Sequence, residues 1–83
     1  MFYTYVLVST DKSHRYIGHT QNLKNRLAYH NAGKVRSTKA YRPWEVAYFE
    51  EFGTRDEAIH REKYLKSGVG REWLKMKLNH HFT

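Results

Sequence analysis

Residues 15–31, RYIGHTQNLKNRLAYHN, contain the change of period that decides the fold. Arg15–Gly18 reads as a short strand, and a helix is expected from about Asn22 to Asn31. Gly33 stands where a left-handed cap would end that helix. One strand-to-helix passage therefore carries a phenol, Tyr16, a glycine, Gly18, a guanidinium, Arg26, and an imidazole, His30.

Upstream, Phe2–Ser9 is β-branched and aromatic on both alternating faces, which suits a strand covered on both sides. Thr10–Ser13 is turn chemistry, so the first two strands should pair antiparallel. Downstream, Lys34, Arg36, Lys39 and Arg42 make residues 33–43 a basic loop. Pro43 opens a third strand, Trp44–Phe52, marked by the alternation of Trp44, Val46 and Tyr48. Thr54 with Glu57 is a capping box for a helix reaching Ser67, and a last short helix is expected at Arg71–Leu78. The resulting order, β-β-α-β-α-α, implies an α+β domain spanning residues 1–83, with a three-stranded antiparallel sheet flanked by helices.

Composition narrows the function classes. The chain has 83 residues, 16% of them aromatic, which is incompatible with a disordered tail. It contains no cysteine, hence neither a disulfide framework nor a thiolate zinc site. No apolar run is long enough to span a bilayer and the start does not read as a signal peptide, so a cytoplasmic location with no membrane partner is expected. The formal net charge is +7, and five of the eight acids fall between Glu45 and Glu57, leaving the remaining surface more basic still. A polyanion is the natural partner, and nucleic acid is commoner than membrane for such a domain.

Ala58, Ile59 and Leu65 define the buried stripe of the second helix, and Glu62 lies inside it. A carboxylate facing a core is costly unless it is paired or bound to a metal. A salt bridge with Arg26 or another basic side chain is the structural explanation; a metal is the functional one. In the first helix Leu23 and Leu27 set the apolar stripe, His30 continues it, and Arg26 lies at its edge. Tyr5 and Tyr16 are expected as diagonal neighbours across the hairpin, with Gly18 allowing a backbone or phosphate to approach closely. Each residue has an ordinary structural reading alone. Together they match phosphodiester hydrolysis: a carboxylate for a divalent cation, an arginine for phosphoryl charge, and a Tyr or His to position and deprotonate water.

The same residues carry a family resemblance. Tyr16-Ile17-Gly18 is similar to the second signature of GIY-YIG domains, the nuclease module of homing endonucleases and of the incising subunit of bacterial nucleotide excision repair. Tyr3-Thr4-Tyr5 resembles a degenerate first signature, ending eleven residues before Tyr16. HTQNLKNRL places the family's catalytic arginine on Arg26, and AIHREKYL places its metal-binding glutamate on Glu62. His30-Asn31-Ala32-Gly33-Lys34 with Thr38, and LKSGVGREWL at residues 65–74, resemble the small stand-alone bacterial members.

The resemblance implies a metal-dependent endonuclease acting on DNA in repair or nucleic-acid turnover, structure-selective or nonspecific. Tyr5 or Tyr16 would activate water, Arg26 would clamp the phosphate, His30 would assist, and Glu62 would bind one Mg²⁺ or Mn²⁺. Gly18, His19, Lys34, Arg36 and Lys39 are the expected nucleic-acid contacts, His19 standing where excision-repair relatives have a lysine. DNA is favoured over RNA, and a protein partner is left to supply target specificity. The alternative is a non-catalytic nucleic-acid-binding module on the same scaffold.

Overall fold

A computed structural model describes residues 1–78 of the chain. β1 (Phe2–Ser9), β2 (Arg15–Thr20) and β3 (Trp44–Phe52) form an antiparallel sheet in the order β2-β1-β3. α1 (Leu23–Asn31), α2 (Arg55–Lys66) and α3 (Gly68–Lys77) flank it, and Lys39–Tyr41 form a single 3-10 turn. The element order and the α+β class are those the sequence implies.

Burial of the central strand organises the layers. Thr4–Ser9 of β1 are all buried, so both faces of the strand are clad. Side chains alternate across a strand, and the two faces feed separate cores. Val6 packs with Ile17, Leu65, Leu74 and Leu78, the last three from α2 and from α3 with its C-cap. Tyr5 and Leu7 pack with Trp44, and Leu23 and Leu27 of α1 close over them. Thr4 Oγ1 donates to the Ala58 carbonyl at 2.7 Å, fixing the start of α2 against β1.

The sequence and the structure differ in three places. The alternation of Trp44, Val46 and Tyr48 does not persist on one face. Val46 pairs with Leu7 but Tyr48 pairs with Val6, so a bulge at Ala47 switches the strand's facing. Trp44 and Val46 thus join the α1 core, while Tyr48 meets Trp73 on the other side, with ring centroids 5.7 Å apart. β2 continues past Gly18 to Thr20, because His19 and Thr20 pair with Thr4 and Tyr3. α3 begins at Gly68 rather than Arg71: Ser67 Oγ accepts from the Gly70 N–H at 3.2 Å, and Ser67 also ends α2. The expected basic loop holds the 3-10 turn.

The segment after α1 is locked by named polar contacts. Gly33 has φ 78°, and the Gly33 and Lys34 N–H groups donate to the His30 and Tyr29 carbonyls, closing α1 in a Schellman motif. Asn31 pairs with both backbone groups of Trp44, at 2.6 and 3.0 Å. His30 and Thr38 are each 1% exposed and meet at 2.9 Å, and Trp44 Nε1 donates to the Thr38 carbonyl at 2.9 Å.

Two outcomes follow from this packing. A Cβ on Gly70 would lie 1.9 Å from the Tyr64 carbonyl oxygen, a backbone atom that moves only with the α2–α3 corner. Gly70→Ala should therefore destabilise the fold by about 1–3 kcal/mol or more, read as a lower urea midpoint. An unchanged midpoint would mean that the corner is loose.

Burial first, and the Arg26 charge second, hold the His30 imidazole below its ordinary value. The unfolded chain takes up that proton near pH 6.5 while the folded chain resists it, so stability should rise with pH through this window. It should be lost as pH falls below about 6.5. Urea midpoints at a series of pH values, with the His30 resonance titrated in parallel, test the assignment. A flat profile with an unshifted imidazole would refute it.

Candidate functional site

Tyr5 lies opposite Gly18 and Leu7 opposite Tyr16, so the two phenols are diagonal neighbours on the α1 face. Their ring centroids are 6.3 Å apart. A Cβ at Gly18 would stand 2.6 Å from Tyr5 Oη and 3.1 Å from Tyr16 Cε2, so the glycine is what lets the Tyr5 phenol cross the backbone of β2.

Tyr5 Oη is 3.0 Å from His30 Nε2, and His30 Nδ1 is 2.9 Å from Thr38 Oγ1. Thr38 spends its one proton on the Val35 carbonyl, at 3.3 Å, and so accepts from Nδ1–H. That assignment leaves Nε2 as an acceptor for the Tyr5 hydroxyl. Burial, then the neighbouring Tyr16 phenol, pushes Tyr5 well above the ordinary phenol range, with the Arg26 charge opposing. Tyr5 is a neutral phenol at physiological pH.

Glu62 approaches from the opposite face. His19 alternates with Gly18 and points towards α2, where its Nδ1 meets Glu62 Oε1 at 2.5 Å. Lys66, one turn on, holds Glu62 Oε2 at 2.6 Å. The Glu62 side chain is 16% exposed. Burial raises its pKa, but the hydrogen bonds from Lys66 and His19 outweigh this and hold it below the ordinary carboxylate value. Glu62 is thus ionised and paired, with His19 and Lys66 rather than Arg26. Arg61, its neighbour in sequence, turns away to bond Glu50 at 2.8 Å.

The two sides meet at edge strand β2, in an open cleft of about 430 Å³ lined by Tyr5, Tyr16, Gly18, His19, Arg26, Arg55 and Glu62 among others. Arg26 comes from α1 and Glu62 from α2, so helices on opposite faces of the sheet contribute to one concavity. His30 does not line the cleft and touches it through Tyr5. Lys34, Arg36 and Lys39 are exposed on the segment after α1 and lie outside the cleft lining. Arg55 and Lys66 were not anticipated from the sequence. Their spacing was informative, since Arg55 precedes Glu62 by seven residues and Lys66 follows it by four, which places all three on one helix face.

Glu62 is the single carboxylate in the cleft, and no group of three or more His, Cys, Asp or Glu able to hold a metal occurs among the described residues. Such a donor set suits a hard divalent cation that takes most of its ligands from water and phosphate oxygens, and does not suit a fully protein-coordinated one. The residues fit that kind of ion, provided that the half-exposed Lys66 ammonium releases Oε2.

Residues 1–79 match the GIY-YIG catalytic domain. A UPF0213 protein of Staphylococcus haemolyticus is 40% identical over 75 residues, covering 89% of this chain and 90% of that protein. A UPF0213 protein of Bacillus pumilus is 44% identical over 66 residues, covering 78% of this chain and 66% of that protein. The solution NMR structure of a UPF0213 protein from Bacillus halodurans superposes with a TM-score of 0.51 at 29% identity, over 89% of this chain and 82% of that one. The match in sequence, the match in fold and the place of Tyr16-Ile17-Gly18 on the strand beside the cleft agree: the chain belongs to the GIY-YIG catalytic domain family, within the nuclease superfamily.

Proposed function

We propose that the β2 cleft is the active site of a metal-dependent endonuclease that hydrolyses phosphodiester bonds, with DNA favoured over RNA, in repair or nucleic-acid turnover. The observation that carries this reading is that Arg26 and Glu62, from helices on opposite faces of the sheet, line one cleft with Tyr5 and Tyr16. An ionised glutamate and an arginine lining one cleft suit a phosphate ester, whose oxygens need cationic donors on one side and a metal ligand on the other.

Arg26 binds non-bridging phosphoryl oxygens and stabilises the charge that grows on them. Gly18 leaves space for the Tyr5 phenol to reach the cleft across the β2 backbone. The Tyr5 oxygen accepts a hydrogen bond from the attacking water while its own proton sits toward His30 Nε2. As the water attacks phosphorus, its proton passes to Tyr5 and the Tyr5 proton passes to His30. The depressed imidazole pKa keeps His30 neutral and able to take it. Thr38 fixes the imidazole tautomer this relay needs. A Mg²⁺ or Mn²⁺ ion held by Glu62 would supply Lewis-acid polarisation of the phosphoryl oxygen and neutralise charge on the leaving oxygen.

One observation favours the non-catalytic reading. Both Glu62 oxygens already have hydrogen-bond partners, His19 and Lys66, as they would in a structural polar cluster on a nucleic-acid-binding scaffold. Cleavage of single-stranded, duplex, flap and branched DNA and of RNA, with Mg²⁺, Mn²⁺ or chelator, separates the two.

Glu62→Gln should lower cleavage by about 10²-fold or more while leaving the fold intact. Binding without metal should be equal or tighter, because a negative charge has left the cleft. Arg26→Ala should cost about 10²–10³-fold in turnover and weaken binding as well. Metal-dependent cutting lost in Glu62→Gln upholds the nuclease. Binding without cutting, unaffected by Glu62→Gln, upholds the scaffold.

A further inference from the structure

Beyond the cleft, along the same edge strand, lies a second depression of about 380 Å³ lined by Arg15, Tyr16, Ile17, Lys66 and Arg71. Three of these five residues are cations and none is an acid. The depression adjoins the cleft at two points. Tyr16 lines both, and Lys66, which lines the second, holds Glu62, which lines the first.

We propose that Arg15, Lys66 and Arg71 form a second phosphate subsite, which takes the phosphodiester next to the one bound in the cleft. The proposal rests on the nuclease reading for the identity of the strand. Its own basis is the clustering of like charge. Arg15 and Arg71 come from separate elements, β2 and α3, yet line one depression, close enough for the Arg71 charge to act on Arg15. Burial and then that repulsion lower the Arg15 pKa, and an anion between the two guanidiniums would relieve both. Two arginines suit a phosphate because each can offer paired N–H donors to two oxygens. Lys66 connects the subsites, since one ammonium reaches the Glu62 carboxylate and lines the neighbouring depression.

A strand laid across both depressions would run along β2, past Gly18 and Tyr16 towards Arg15. The Lys34–Lys39 segment borders neither depression. The subsite would therefore set the polarity and minimum length of the strand that the cleft accepts.

The test is binding of a labelled single-stranded oligonucleotide to the whole chain, in chelator, over a series of salt concentrations. Arg71→Ala is compared with Arg71→Lys and with Lys63→Ala, an exposed lysine of α2 that lines neither depression. Each phosphate contact to a single strand contributes about 0.7 to the slope of log affinity against log salt. Arg71→Ala should thus flatten the slope by about 0.7 and weaken binding about fivefold near 0.1 M salt. Arg71→Lys should restore the slope, and Lys63→Ala should leave it unchanged.

An unchanged slope in Arg71→Ala, or an equal loss in Lys63→Ala, would overturn the subsite. So would salt-independent binding by the unaltered chain. The nuclease reading fails separately: absent cleavage with the Arg71-dependent slope intact would leave a strand-binding surface without hydrolysis.

Discussion

Burial of six consecutive residues, Thr4–Ser9, is the constraint on which the rest of the structure depends. A strand this apolar on both faces must be covered twice, and an 83-residue chain has few elements with which to do it. α1 covers the Tyr5–Leu7 face, while α2 and α3 cover the Val6 face. The two helices that carry Arg26 and Glu62 are therefore kept apart by the sheet, and their side chains can meet only around its edge. β2 is that edge, and Gly18 is where it lacks a side chain. The position of the cleft is thus a result of how the core is covered.

The two resemblance motifs outside the helix signatures divide into packing and chemistry when their contacts are followed. In His30-Asn31-Ala32-Gly33-Lys34, Asn31 fastens α1 to β3 through Trp44, and Gly33 supplies the positive φ of the cap. His30 has a foot in each, since Thr38 holds it on one side and Tyr5, which lines the cleft, meets it on the other. In LKSGVGREWL, Leu65 and Leu74 are core, Ser67 caps α3, and Gly70 permits contact with the Tyr64 carbonyl. Among the exposed residues of this motif, Lys66 and Arg71 border the second depression.

Legibility in the sequence followed locality. The elements rest on short-range patterns, and Asn22, Thr54 and Gly33 perform the capping roles their types suggest. The diagonal placement of Tyr5 and Tyr16 followed from the turn alone. The bulge at Ala47 left no trace, because one extra residue alters the facing of a strand without altering its composition. Gly68-Val69-Gly70 reads locally as a break, yet the Ser67 cap and the need for a bare Cα beside Tyr64 make it the first turn of α3. Glu62 was identifiable as a carboxylate on an apolar stripe. Its partners were not, since His19 lies 43 residues away and is brought there only by the pairing of β2 with β1.

That pairing explains how Glu62 can be both buried and ionised. Burial alone would raise the pKa of this carboxylate; the hydrogen bonds from Lys66 and His19 instead bring it below the ordinary value. The compensation is unequal. His19 belongs to a paired strand, whereas the Lys66 side chain is 50% exposed and sits on a long stem at helical spacing. An ion pair of that kind is worth about 0–1 kcal/mol, so its exchange for a stronger cationic partner is energetically easy. His19 is instead carried by the β1–β2 pairing that also sets Gly18 against Tyr5. The candidate site therefore has one strand-borne and one exchangeable hydrogen-bond partner on the same carboxylate. The exchangeable one, Lys66, also lines the second cationic depression.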